Sequence, residues 1–154
     1  MAARARLLTR IGASTLALAW LAGCAGSVSL DEPLEGTPWR LVQIGGQPVD
    51  GGFSLQTEPR IRLDADAQRM TGSGGCNALS GNFRRNSGSA LRIGPVLATR
   101  RACADPGLNA LETRFIAALD ATAGYSLKGA QLTLLDARGL PLAVLEPGLR
   151  EPPR

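Results

Sequence analysis

The sequence contains no histidine, and this absence removes several kinds of chemistry from consideration. Histidine is the usual base that activates a serine or cysteine nucleophile, and it is the commonest side-chain ligand of zinc and copper. The chain also has no pair of cysteines separated by two residues, which redox and zinc motifs use. Lys128 is the only lysine, and nothing in the sequence places it beside a serine such as Ser80. We therefore expect no enzyme, cofactor or metal site; a hydrolase is the least favoured alternative.

Aromatic residues make up only 4% of the chain, and positive charge outside the N-terminal segment is nearly balanced. Residues 1–23 contain three arginines and no acid, so their removal leaves fourteen basic against thirteen acidic side chains. Proteins that bind nucleic acids combine a broad basic surface with side chains that stack on bases. Because both features are weak here, nucleic acid is not an expected partner.

Residues 1–23 have the three-part organisation of an export signal. The basic residues come first: Arg4, Arg6 and Arg10. The apolar stretch from Ile11 to Leu21 is too short for a membrane span, which needs about 20 apolar residues. Its end, Leu21-Ala22-Gly23-Cys24, resembles the lipobox of bacterial lipoproteins. This resemblance implies cleavage before Cys24, acylation of that cysteine with chains such as palmitate, and a stable membrane anchor.

The alternative is ordinary cleavage near Gly23, which would leave Cys24 unmodified and the exported chain soluble. Residue 25 is Ala rather than Asp. The resemblance to enterobacterial lipoproteins then implies sorting to the outer membrane, with the domain facing the periplasm. Export also places the chain in an oxidising compartment, where two remaining cysteines tend to pair.

After the signal peptide the chain is predicted to consist of a tether, one domain and a tail. Residues 24–34 have no sustained apolar period and are predicted to be a lipidated tether. Residues 148–154 contain two prolines and three charges and are predicted to be a disordered tail. The domain spans residues 35–147, which is long enough to bury one ordinary core.

Within the domain, short β-type segments alternate with Gly and Pro residues, as in an antiparallel sheet. The predicted strands are residues 39–44, 60–63, 70–73, 81–85, 91–93, 97–99, 125–128, 131–135 and 140–145. One helix is predicted over residues 109–121, because Leu111, Phe115 and Leu119 recur at four-residue steps. The predicted fold class is α+β, a curved antiparallel sheet or partly open barrel with one packed helix.

Two starts of the helix are consistent with the sequence. Asn109 and Glu112 have the spacing of a capping box, and Asp105-Pro106 has the cap and first-turn proline of an earlier start. Trp39, in the first predicted strand, is expected in the core rather than in a ligand cleft.

The glycine-rich segment 72–83 contains Cys76 and can be interpreted in three ways. A phosphate-binding loop would need a following Gly-Lys-Ser/Thr and a strand-to-helix setting, and the sequence offers neither. A nucleophilic Cys76 would need a nearby base. We favour a structural disulfide with Cys103, which would stabilise the domain by about 3.5 kcal/mol. The preceding glycines would then permit positive φ or close backbone approach, and Asn77 is expected to hydrogen-bond its own turn.

A set of motifs between Trp39 and Leu145 resembles the META domain (HslJ-like) family. The motifs are Trp39-Arg-Leu, Gly72-Ser-Gly-Gly-Cys-Asn77, Ser80-Gly-Asn-Phe83, Thr99-Arg-Arg-Ala-Cys103, Leu111-Glu-x-x-Phe115 with Leu119, and Leu132-Thr-Leu134. The residues carried over as the family motif are Trp39, Gly72, Gly75, Asn77, Gly81, Thr99, Arg100 and Glu112.

Family members are small, often lipoproteins, and associated with heat shock or antibiotic resistance. The resemblance implies a non-enzymatic outer-membrane lipoprotein that binds another envelope component and supports envelope integrity or stress and antibiotic tolerance. Because the family fold is similar to that of secretin pilotins, the alternative is a pilotin-like or inhibitor-like module for a peptide tail or a lipid. Arg84-Arg85 and Arg100-Arg101 fit either one basic patch or, as we favour, solvated edges that block strand pairing.

Overall fold

The protein is described by a computed structural model over residues 31–101 and 103–149. The predicted signal peptide, its Leu21-Ala22-Gly23 motif and Cys24 lie outside the described residues, as do residues 150–154 of the predicted tail. In the described part of the chain, no helix is both long enough and apolar enough to cross a bilayer.

The described residues form ten strands and one helix. The strands are β1 Trp39–Ile44, β2 Gln47–Pro48, β3 Arg60–Asp64, β4 Arg69–Ser73, β5 Ala78–Arg85, β6 Leu91–Ile93, β7 Leu97–Ala98, β8 Gly124–Lys128, β9 Gln131–Leu135 and β10 Pro141–Pro147. The helix α1 spans Pro106–Asp120, between β7 and β8. The strand predictions agree with these bounds to within about three residues, and only the short β2 was missed.

The strands form one continuous antiparallel sheet that nearly closes on itself. Its order is β6-β5-β4-β3-β1-β10-β9-β8, with β2 added beside β1 and β7 beside β5. The two ends of this order meet at a bridge between Ala90 and Gly124, where the Tyr125 N–H donates to the Ser89 carbonyl at 2.9 Å. The result is a barrel with one seam and a single helix, which confirms the predicted fold class.

Alternate residues of the strands fill the barrel, since successive side chains of a strand point to opposite faces. Trp39 and Phe115 are the largest fully buried side chains, one from β1 and one from α1. The Trp39 indole N–H donates to the Leu34 carbonyl at 2.9 Å, which satisfies its polar atom inside the core. The expectation that Trp39 belongs to the core is confirmed.

The helix begins at the earlier of the two predicted starts. Asp105 is the N-cap and Pro106 the first helical residue, and the Asp105 carboxylate accepts from the Gly107 N–H at 2.8 Å. The capping box of Asn109 and Glu112 is wrong, because Asn109 already lies inside the helix and donates its N–H to the Asp105 carbonyl. The side chain of Glu112 instead accepts hydrogen bonds from the β4–β5 turn, at Cys76 and Asn77.

Antiparallel connectivity gives the barrel two distinct ends. The helix end holds the β4–β5 turn, residues 74–77, and the last residue of β1, Ile44, whose carbonyl accepts from Arg114 of α1 at 3.0 Å. The hairpin end holds three turns, residues 65–68, 86–90 and 129–130.

Residues 31–38 lie along the hairpin end and pack against it. Glu32 donates its N–H to the Gly129 carbonyl at 3.0 Å, and Glu35 forms an ion pair with Arg85 at 2.7 Å. Leu34 is only 3% exposed and belongs to the core. Residues 31–34 were predicted to belong to the tether, yet they pack as part of the domain, because Leu34 covers apolar side chains that the barrel would otherwise expose.

Candidate functional site

The β4–β5 turn, residues 74–77, approaches the helix too closely for side chains at its two glycines. Gly75 has a φ of +114°, and a Cβ atom there would lie 2.5 Å from Cδ1 of Leu108. A Cβ atom on Gly74 would lie 2.5 Å from Oε2 of Glu112. The prediction that the glycines before Cys76 permit positive φ or close approach is confirmed: Gly75 has the positive φ, and both glycines lie close to the helix.

A disulfide between Cys76 and Cys103 joins this turn to the segment that precedes α1. The two Cα atoms are 5.6 Å apart, within the range that a disulfide spans. The predicted pairing is therefore present, and both cysteines belong to a covalent tie between turn and helix start.

Beside the disulfide lies a buried carboxylate, Glu112, which is only 5% exposed. Its Oε2 accepts hydrogen bonds from the backbone N–H groups of Cys76, at 3.1 Å, and Asn77, at 2.7 Å. Its Oε1 accepts from the side-chain amide of Asn77 at 2.6 Å. A buried charge needs such partners, because transfer of an unpaired carboxylate from water costs several kcal/mol.

Asn77, itself 7% exposed, extends this arrangement to the segment after β7. Its Oδ1 accepts from the Thr99 hydroxyl at 2.9 Å and from the Arg101 N–H at 2.7 Å. The expectation that Asn77 binds its own turn is wrong for the side chain, which instead bridges two other segments. Cys76, Asn77, Thr99, Arg101 and Glu112 are called the Glu112 network below.

The Glu112 network has the properties of a structural tie. Both carboxylate oxygens are occupied by N–H donors, and no buried side-chain nitrogen or oxygen in the described ranges lacks a hydrogen-bond partner. Across those same ranges no three Cys, Asp or Glu side chains are grouped as a metal site would need. These hydrogen bonds hold α1 against the β4–β5 turn.

The family-motif residues divide between this network and the barrel wall. Gly75, Asn77, Thr99 and Glu112 meet in or beside the network. Gly72 lies on β4, where a Cβ atom would come within 3.0 Å of the Ile61 Cα atom, and Gly81 lies on β5 against Pro95. These two glycines, with Trp39, set the close packing of the wall. Arg100 is exposed, and its side chain makes no hydrogen bond or ion pair with another described residue.

An open groove runs along the outside of the barrel next to residues 33–38. Its volume is about 780 Å³, and Arg60, Arg62 and Thr71 form part of its lining on β3 and β4. Two leucines, Leu55 at 49% exposure and Leu149 at 70%, lie at the same groove. The groove therefore offers polar strand side chains together with exposed apolar contacts. Sequence reasoning missed it, because it is assembled from five separated segments.

The two arginine pairs do not form a common patch. Arg85 is held by Glu35, whereas Arg84 points outward from β5 near the hairpin end. Arg100 and Arg101 lie at the helix end, beside Asn77. The whole length of β5 separates the pairs, so the interpretation as one basic patch is wrong.

The β9–β10 turn holds Asp136, a carboxylate with several hydrogen-bond donors. The pKa of Asp136 is lowered mainly by the hydrogen bond from the Leu140 N–H, at 2.8 Å, and further by the N–H and guanidinium of Arg138. The carboxylate thus stabilises this turn in its ionised form.

These features define a small antiparallel barrel whose helix is fixed by one disulfide and one buried carboxylate. Residues 32–148 match the META domain family, and because the match covers most of the chain, the chain belongs to that family. The predicted family is confirmed.

Two solved structures, both determined by NMR, have similar folds. One is 27% identical, with a TM-score of 0.56, and the match covers 73% of this chain and 90% of the other. The second, a protein from Burkholderia xenovorans, is 23% identical, with a TM-score of 0.57, and the match covers 76% of this chain and 85% of the other. A comparison with curated proteins gives no significant match.

Proposed function

We propose that this META domain protein is a non-enzymatic lipoprotein of the outer membrane, anchored through Cys24 and facing the periplasm. Its domain binds another envelope component and thereby supports envelope integrity or tolerance of heat and antibiotic stress. The observation that carries the proposal is the open groove beside residues 33–38. This groove is large enough for a peptide segment and adjoins the part of the chain that leads back to Cys24.

The hydrogen bonding of the buried polar groups supports a binding role rather than a catalytic one. Glu112, a buried carboxylate, uses both oxygens to hold N–H groups of the β4–β5 turn. Ser80 lies on β5 opposite Thr71 and Leu97, in register with side chains that cannot act as a base. A hydrolytic role would require a reactive arrangement of other groups, and turnover lost in Ser80→Ala would support it against the present proposal.

The packing of the barrel favours one of two places where a pilotin-like partner would bind. The interior is filled by fully buried side chains: Trp39, Leu63, Phe115, Leu132, Leu134 and Leu145. We therefore propose the outer groove, and not the interior, as the binding place of a peptide tail. The polar strand side chains there suit an extended peptide backbone, and Leu55 and Leu149 supply apolar contacts at its edge.

Photo-crosslinking in cells tests the assigned surface. A photoreactive amino acid replaces Leu55 in the groove or, as the matched control, Leu140 in the β9–β10 turn. The two leucines are equally exposed, at 49% and 50%, and differ in location. We expect an envelope protein to be captured from position 55 and not from position 140. Equal capture at both positions, or none during heat and antibiotic stress, would contradict the assignment.

Membrane fractionation tests the anchor separately. Cys24→Ser removes the thiol that the lipobox resemblance predicts to be acylated, so a high-salt wash should move the variant, but not the wild type, to the soluble periplasmic fraction. Mass spectrometry of the wild-type N-terminal peptide should find the acyl chains. Continued fractionation of Cys24→Ser with outer membranes after a high-salt wash, which removes charge-driven binding, would refute the anchor.

A further inference from the structure

Basic residues are concentrated in one stretch of the chain without acidic neighbours. Residues 67–104 contain six arginines and no Asp or Glu. The positions of four of these arginines are described above. Arg85 is paired with Glu35, and Arg84 points outward from β5. Arg100 and Arg101 lie at the helix end. The remaining two, Arg69 and Arg92, lie on strands next to that of Arg84.

Arg69, Arg84 and Arg92 lie close together on the outer surface of β4, β5 and β6, and they are called the arginine face. Arg84 is directly opposite Arg92, and Arg69 is opposite Asn82, two residues before Arg84. All three are exposed. Like charges directly opposite each other on neighbouring strands destabilise a sheet, so this placement carries a cost within the domain itself.

Two acids beside the arginine face form no ion pair with it. Asp64 is opposite Arg69, yet its Oδ1 accepts from the Ala67 N–H at 3.0 Å. Asp66 is exposed in the same turn. Neither acid forms an ion pair with a described arginine, and Glu35 is taken by Arg85. The three guanidinium groups therefore have no carboxylate partner among the residues described here.

Protection of a sheet edge does not account for these arginines. Arg84 lies on β5, which has neighbours on both sides. Arg92 lies on β6, whose outer side is met by β8 at the bridge between Ala90 and Gly124. Exposed charges discourage pairing at free edges, and neither strand presents a long one. An external anion explains the cluster better than protection against strand pairing does.

The location of the arginine face suggests which anion is available. It adjoins the hairpin end, where residues 31–38 also lie and where Asp31 contacts the β8–β9 turn through the Gly129 N–H. Seven residue steps connect Asp31 to Cys24, and a fully extended chain of that length reaches about 25 Å. If Cys24 is acylated, as proposed above, this end of the barrel stays close to the leaflet that holds the anchor.

We propose that Arg69, Arg84 and Arg92 form a docking surface for the phosphate groups of anionic membrane lipids. Guanidinium groups bind phosphate oxygens in a planar, two-point geometry, and attraction to an acidic leaflet acts only within about a Debye length. The lipid anchor supplies proximity, and the arginine face sets the side of the barrel that rests on the membrane. The groove at residues 33–38 is then held at a fixed height above the leaflet.

The test uses residues 24–154 with Cys24→Ser, so that binding does not depend on acylation. Cosedimentation compares vesicles of phosphatidylethanolamine and phosphatidylglycerol with vesicles of phosphatidylcholine alone. We expect binding to the anionic vesicles only. The double variant Arg84→Gln/Arg92→Gln should lower the partition coefficient about fivefold for each arginine removed. Arg84→Lys/Arg92→Lys should lose less binding than the glutamine variant but still fall below the wild type, because both charges remain while the two-point geometry is lost.

The matched control is Arg100→Gln/Arg101→Gln, which removes the same charge from the helix end. Equal loss in this control would mean that net charge alone drives binding, and it would overturn the proposal, as would the absence of binding to anionic vesicles. Inorganic phosphate should compete no better than chloride at the same ionic strength; stronger competition would assign the face to a free anion. Because no arm requires acylation, failure of the anchor at Cys24 leaves this result interpretable.

Discussion

The donor and the acceptor of the hydrogen bond between Asn77 and Glu112 can be exchanged by two substitutions, and this exchange is the sharpest test of the Glu112 network. Glu112→Gln keeps the shape of the side chain but replaces one acceptor oxygen by an NH₂ group. If the remaining oxygen stays on the two backbone N–H groups, this NH₂ faces the Asn77 amide at the 2.6 Å contact. Asn77 cannot rotate its amide to adapt, because its Oδ1 already accepts from Thr99 and Arg101.

The expected cost of Glu112→Gln is the loss of one charge-assisted hydrogen bond and the burial of two opposed donors, about 2 kcal/mol. Asn77→Asp places a second carboxylate against Glu112 and should cost more, about 3 kcal/mol at neutral pH. Combining the two changes restores a donor opposite an acceptor, since the carboxylate introduced at position 77 then accepts from the amide introduced at position 112. Thr99 and Arg101 still donate to residue 77 in this double variant. The coupling free energy should therefore favour the double variant by about 2 kcal/mol or more.

Urea unfolding of the two single variants, the double variant and the wild type, all with the disulfide intact, measures this cycle. A domain of this size should show a Tm change of about 4 °C for each kcal/mol. Glu112→Ala serves as a reference that removes the partner altogether. Additive losses in the double variant would mean that the two side chains do not interact as described, and the structural role of the network would be refuted.

Three further predictions follow from the packing and charges described above. Replacing Cys76 and Cys103 by serine should lower the free energy of unfolding by about 3.5 kcal/mol, because the unfolded chain regains the entropy that the closed loop removes. Leu34→Ala should cost about 3 kcal/mol, since this side chain is 3% exposed in the core. Asp136→Asn should make the free energy of unfolding depend less on pH in acid. The pKa of Asp136 is lower in the folded than in the unfolded protein, so its contribution to stability is present above pH 3.8, the unfolded value, and is lost as the pH falls through the folded pKa.

Each of these has a control and a contradicting result. Peptide mapping without reductant should find Cys76 joined to Cys103, and free thiols at both positions in periplasmic protein would contradict the disulfide. Leu149→Ala, at 70% exposure, should change stability by less than about 0.5 kcal/mol. A loss as small in Leu34→Ala would mean that residues 31–34 are not part of the core. For Asp136→Asn, a stability deficit that stays constant down to about pH 2 would contradict the ionised turn.

Local patterns were enough to predict the elements of this fold. Period-two alternation located strands such as Arg60–Asp64, and the four-residue steps through Phe115 located α1. Both patterns show which face of a strand or helix is buried, and that face can be identified from residues that are close together in the sequence. The sequence does not choose between the two helix starts, because both caps satisfy N–H groups of a first turn; packing of Glu112 against the β4–β5 turn selects the earlier one.

The sequence by itself determined the family, the class of fold and the core position of Trp39, since each rests on residue types and local spacing. For Cys76 it left three interpretations open and favoured the disulfide that the structure contains. Tertiary structure alone decided that Glu112 binds a turn 35 residues earlier, at Asn77, and that Arg84 lies opposite Arg92 rather than acting with Arg85. It also assembled the groove from separated segments. Strand register and barrel closure bring these groups together, and neither can be derived from the spacing of residues along one chain, because contacts between distant segments depend on how the whole sheet closes.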